Sequence, residues 1–243
     1  MDYNRVEIEQ KLDALFAKNP MYKPYVGTNY HGILVIGESH YVDVEYLVKE
    51  LTAEGHPVAK TFNREFVVKV WGTDRQKEID EVEKISNWYN TRHVVNEYIE
   101  EEANKSFWSR TSYIYFRNLN RVFEKRSLSW RQVAYMNFYQ VPCLKSKESI
   151  RDCFDIDGYA SLIEKANSQE IVKKTIGILD PQLIIITTKS EAYELMRALP
   201  NRTIIRCTHP SCAWWNRRHG SEHKRGSEYL EDELTKYFES LNQ

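Results

Sequence analysis

The stretch RTIIRCTHPSCAWWNRRHG, Arg202 to Gly220, runs from apolar to polar to aromatic and basic within one segment. Its first part, Thr203 to Cys207, is short and rich in β-branched and apolar residues, which predicts a buried strand and leaves no length for a helix. Thr208-His209-Pro210-Ser211 then closes the strand. Proline fixes its own φ and steers the preceding residue towards extended backbone. His209 is therefore expected at the carboxyl end of a strand rather than inside the core. Trp214, Trp215, Arg217 and Arg218 follow at once. An acid-base group beside stacking rings and cations suits a nucleic-acid base and its phosphates. At least one of the two tryptophans is expected to pack on the C-terminal helix instead.

Outward from this stretch the same pattern recurs. Ile33 to Ile36 is a continuous apolar run closed by Gly37-Glu38-Ser39-His40-Tyr41, Val133 to Met136 leads into Asn137, and Leu183 to Ile186 is closed by Thr187-Thr188-Lys189. Helical spacing is read over Arg5 to Lys18, Val44 to Ala53, within Gln76 to Asn104 and Ser106 to Arg131, over Tyr159 to Leu179, Ser190 to Leu199 and Glu228 to Leu241. Ser190 reads as an N-cap. Met21 to His31 reads as an irregular lead-in, and Phe62 to Trp71 shows no single period. Apolar runs separated by helices predict an α/β fold around a central four-stranded parallel sheet, because strands buried on both faces lose the alternation of half-buried ones. Ligands of such sheets bind beyond the strand carboxyl ends. Glu38, His40, Asn137, Thr188, His209 and Ser211 all fall there.

Bulk composition narrows the partners. With 34 Lys+Arg against 35 Asp+Glu the net charge is −1, so any contact with a polyanion must come from local clustering. The later half of Ser106 to Arg131 is one such cluster. Cysteines at 143, 153, 207 and 212 show neither zinc spacing nor the density of a disulfide scaffold, which predicts reduced thiols and no metal. A site built from Cys207, Cys212, His40 and His209 is disfavoured because Cys207 lies inside a strand. The start MDYNRVEIEQ lacks a signal-peptide pattern, and no apolar run approaches the roughly 18 residues that span a bilayer. A soluble, cytoplasmic protein without a membrane partner is the expectation. The 243 residues contain no linker or repeat, so residues 1–243 are read as a single domain.

The ordered set GESHY, MNF, LDPQLIIITT and HPSCAWWN resembles the uracil-DNA glycosylase superfamily. In that family a Gly-led turn carries the water-positioning group, a second strand ends in Asn, a third follows a Lys/Asp-Pro phrase, and a fourth ends in His-Pro-Ser. The resemblance runs from about Ile33 to Asn216, and its first turn agrees with the branch reading Gly-Glu-Ala-Pro. It implies a three-layer α/β/α fold with a helical insertion at about 55–130. By the resemblance, Glu38 activates water or stabilises charge on the sugar, and His209 hydrogen-bonds the pyrimidine O2. Asn137 reads the pyrimidine edge, Tyr41 packs against C5 to exclude thymine, and His40 lines the base pocket. Phe62 or Phe66 is the stacking aromatic. Ser211, Trp214, Trp215, Arg217 and Arg218 contact DNA, one tryptophan filling the gap left by a flipped base. The branch often carries an iron-sulfur cluster, but the cysteine spacing does not match its ligands, so no cofactor is expected. DNA is the expected partner, with no obligate protein partner evident. Two rival readings are a non-catalytic nucleotide- or nucleic-acid-binding relative, favoured by His40 where several branches have Pro, and a small-molecule nucleoside hydrolase with the long stretch as a lid.

Overall fold

The four apolar runs form parallel strands of one sheet, and a fifth strand joins them. In the computed structural model, which describes residues 3–40, 44–70, 75, 77–79, 81, 90–104, 113–144, 162–188, 195–221 and 223–241, the strands are β1 (Tyr25–Val26), β2 (Ile33–Gly37), β3 (Val133–Asn137), β4 (Leu183–Ile186) and β5 (Thr203–Arg206). Their order is β1-β3-β2-β4-β5, with β2 to β5 mutually parallel and β1 antiparallel against β3. The expected four-stranded sheet is thus corrected to five strands. β1 lies in the stretch read as irregular, and at two residues between Pro24 and Gly27 it is too short to show a period. Gly27 is required beside it, because a Cβ there would stand 2.3 Å from the Arg131 carbonyl oxygen.

The helices with described bounds are α1 (Arg5–Leu15), α2 (Val44–Ala53), α3 (Arg64–Val70), α4 (Thr91–Ala103), α5 (Ile114–Glu124), α6 (Leu162–Leu179) and α7 (Gly226–Ser240), with single turns of tighter helix between some of them. Every residue of β2, β3 and β4 is buried, as coverage of both faces demands. On one face Leu34, Ile36, Met136, Ile184 and Ile186 share a core with residues of α1, α2, α3 and α6. On the other, Val35, Tyr135, Ile185 and Ile205 pack with Val95 and Tyr98 of α4, Phe116 and Leu119 of α5, and Leu230 and Leu234 of α7. Helices α4 and α5 come from the stretch expected to be an insertion, and they supply a cover for this second face. Among the described residues no helix is long and apolar enough to cross a membrane. Ser190, Lys189 and the stretch 145–158 lie outside the described residues.

Candidate active site

Register brings the strand exits to one level. Gly37 pairs with Asn137, while Ile36 pairs with Ile186 and Ile186 with Arg206, so Asn137, Gly37, Thr187 and Cys207 form one rung across β3, β2, β4 and the end of β5. Alternation along a strand then points all four to the face of Tyr135 and Ile185. Backbone bonds continue the ladder past the strand ends, with Thr187 N–H donating to Ile36 O at 3.0 Å and Cys207 N–H to Ile186 O at 2.9 Å. Gly37 is the gap in the rung. A Cβ there would lie 2.3 Å from Asn137 Oδ1 and 2.7 Å from the Tyr135 hydroxyl, so only glycine lets those two groups lean across β2.

Asn137 is 3% exposed and half satisfied. Its Oδ1 accepts from the Tyr135 hydroxyl at 2.8 Å, while its buried Nδ2 has no hydrogen-bond partner. An orphaned buried donor costs roughly 1–3 kcal/mol, and native proteins tolerate few of them. The tyrosine fixes which end of the amide faces which way. Oδ1 keeps a second lone pair and Nδ2 keeps two hydrogens, so the amide presents an acceptor and a donor side by side.

His209 follows two residues beyond Cys207, in the turn after β5. Its Nδ1 accepts from the Ser211 backbone N–H at 3.2 Å, and burial lowers its pKa to about 4, so near pH 7 the ring is neutral with its proton on Nε2. Asn118 of α5 donates from Nδ2 to the Pro210 carbonyl at 2.8 Å, which ties the His209-Pro210-Ser211 turn to the helix. Tyr115, three residues earlier on α5, touches the His209 ring with centroids 5.1 Å apart and the Tyr135 ring at 5.7 Å. Its hydroxyl shares a 2.9 Å hydrogen bond with Thr187 Oγ1. Burial and the neighbouring Tyr135 hydroxyl hold that phenol well above its usual pKa, so Tyr115 is a neutral hydrogen-bonding roof and not a base. An imidazole donor and a half-satisfied amide are therefore joined by a wall of two tyrosines.

The remaining candidates separate. Glu38 follows Gly37 directly, half-buried, and its carbonyl accepts from Tyr139 N–H at 2.9 Å, which keeps the β2 and β3 exits side by side. His40 is buried and consumed, with Nε2 bonded to Thr91 Oγ1 at 2.8 Å and its ring edge-on to Tyr22. It is corrected from a base-pocket residue to a strut between the first turn and the start of α4. Phe62 is 1% exposed in the opposite core beside Phe66, and is corrected from a stacking aromatic to a packing one. Trp215, 2% exposed among Leu230 and Leu234, is likewise corrected from a DNA contact to a core residue. Trp214 is 49% exposed, and Ser211, Arg217 and Arg218 are exposed near it in the chain. Tyr41 and Cys153 lie outside the described residues.

Tyr115, Asn118 and Tyr135 were not singled out from sequence. One signal was present: Asn118 is a polar residue on the apolar face of α5, between the buried Phe116 and Leu119. Such a side chain needs a partner, and it has one in the His209 turn. Cys207, on the rung, has its thiol pushed up to about 12 by burial, which keeps it protonated and unreactive. Among the described residues no group of three or more His, Cys, Asp or Glu side chains is placed to hold a metal ion. A scan of protein-family models and a search of curated protein sequences each return no match to this chain.

Proposed function

We propose that the protein is a DNA glycosylase-like hydrolase that cleaves the N-glycosidic bond of uracil or a related damaged base after the nucleotide is flipped out of the helix, on a uracil-DNA glycosylase-like fold. The observation that carries the reading is the Asn137 amide, buried with Nδ2 unpartnered and Oδ1 oriented by Tyr135, whose ring contacts Tyr115 and through it the neutral His209.

A pyrimidine edge complements that amide. Nδ2–H donates to O4 of uracil, and Oδ1 accepts from N3–H. Cytosine offers its amino donor to Nδ2 and an unprotonated N3 to Oδ1, so both contacts become repulsive. As the C1′–N1 bond breaks, its electron pair goes to the base and negative charge collects on O2. A fixed Nε2–H of His209 aimed at that oxygen strengthens most at the transition state. A neutral imidazole serves as donor here without carrying a charge into a buried site. Glu38 takes the proton of the water that adds to C1′, and its carboxylate offsets positive charge on the sugar. The departing base is protonated from solvent.

Incubation with a uracil-containing oligonucleotide, followed by alkaline cleavage at abasic sites, tests the reading. Product is expected, with Glu38→Gln lowering the rate at least about 10²-fold. No product on single-stranded, double-stranded, mismatched or hypoxanthine-containing substrates overturns it.

A further inference from the structure

The chain after Trp215 builds a feature that the base-reading residues do not use. His219 N–H donates to the Lys224 carbonyl at 3.1 Å, and the two residues form an isolated antiparallel bridge. Gly220 at φ 71° and His223 at φ 48° make the tight return. Described residues of this turn line an open pocket of about 170 Å³ together with Thr208 and the start of α7. The volume is below the roughly 300 Å³ at which small-molecule sites begin, so it suits a phosphate with its hydration and not a whole nucleoside. Among the described residues His219, Ser221, Thr208, Lys224 and Arg225 line it, and no carboxylate does. Asp232 lies 2.9 Å from Lys224 Nζ and Glu228 3.8 Å from Arg225 Nε, and neither of these two acids is in the lining.

Two observations point to an occupant. His219 Nε2 is buried and has no hydrogen-bond partner, and an anionic oxygen would satisfy it. The same imidazole packs against Trp214, with ring centroids 5.4 Å apart at 60°. One side chain thus backs an exposed indole and lines an anion-sized pocket. Bases within a duplex are already stacked on each other, so an exposed indole with cations beside it favours an unpaired strand.

We propose that Trp214 and this pocket form a subsite for single-stranded DNA, in which one base stacks on the indole and the adjoining phosphate meets His219, Lys224 and Arg225. It rests on the reading that DNA is the substrate, and it adds the strandedness that reading leaves open. The test is fluorescence anisotropy of a labelled, undamaged oligothymidylate titrated with the full chain over a salt series, alongside the matching duplex. Trp214→Ala should weaken single-strand binding about 5- to 100-fold, the range of one base–aromatic stack, while Trp214→Phe retains most of it. The double variant Lys224→Ala, Arg225→Ala should flatten the slope of log K against log salt by roughly 0.7 for each lost phosphate contact. Unchanged affinity and slope in these variants, or equal wild-type affinity for the duplex, overturns the subsite. The probe carries no excisable base, so the two readings fail separately. Protein inert on uracil that shows these losses keeps the subsite and loses the catalytic reading. Protein that excises uracil and binds normally as Trp214→Ala does the reverse.

Discussion

His40 follows the buried central strand β2 and His209 the half-exposed edge strand β5, both at the carboxyl end of the sheet, and sequence reasoning placed both at a base. Their surroundings divide them. His40 spends Nε2 on Thr91 and rests its ring on Tyr22, so it joins the β2 exit to the start of α4. His209 spends Nδ1 on its own turn, through Ser211 N–H, and leaves the protonated Nε2 available. Which nitrogen the fold consumes decides whether a strand-exit histidine is a strut or a hydrogen-bond donor for a ligand.

The sharpest way to break that contrast is to remove each ring. His209→Ala is expected to lower single-turnover uracil excision at least about 10²-fold, the usual cost of losing a donor to a developing anion. His40→Ala should leave the rate within about threefold once the folded fraction is matched, since it loses no contact to the transition state. Equal losses would put both imidazoles, or neither, in the chemistry.

Acidity separates the two next. His209 has a folded pKa of about 4, below the ordinary value of 6.5, so between those values the unfolded chain binds more protons than the native one. The stability held in its neutral form is therefore complete above about pH 6.5 and is lost as pH falls through 4. The loss is on the order of 3 kcal/mol. Urea unfolding from pH 4 to 7 should show that slope in wild type and a flatter one in His209→Gln. An unchanged slope would mean that the ring is not held neutral by burial.

A smaller effect is expected at Asn137. Replacing it with Asp removes the orphaned donor, and preference for uracil over cytosine should fall at least about fivefold, the lower end of what one bidentate base contact discriminates. The readout is the ratio of excision rates on otherwise identical strands, and a constant ratio would remove Asn137 from base reading. Smallest is Thr91→Val, which breaks the His40 bond without touching the rung. It should cost roughly 1–2 kcal/mol in chemical unfolding while excision stays near wild type. A large catalytic loss there would return His40 to the site.

Much of the sheet was legible because parallel strands buried on both faces are written as uninterrupted apolar runs, as in β2, β3 and β4. The run at β5 marked a strand too, but the expected burial is corrected, since β5 is an edge strand in which only Ile205 is buried. The helix Val44–Ala53 was read with its observed bounds, since its apolar positions recur at helical spacing. β1 was missed because two residues carry no period, and its existence depends on the neighbouring edge of β3. Trp214 and Trp215 are the same residue type in consecutive positions, so composition has no means to rank them. A turn of tight helix over Ala213–Trp215 rotates successive side chains by a third of a circle, sending Trp215 under α7 and Trp214 outward.

Local order along the chain was enough to establish that this protein is an α/β sheet with polar groups at its strand exits, because period and chain-breaking residues act over a few positions and need no partner. What only the folded chain decided is which of those groups retains an unused hydrogen bond. Tyr115 reaches His209, Thr187 and Tyr135 from a distant helix, Thr91 claims His40, and the absence of a side chain at Gly37 admits the Asn137 amide. Hydrogen-bonding capacity is consumed by spatial neighbours, and those neighbours are chosen by register and packing rather than by nearness in sequence.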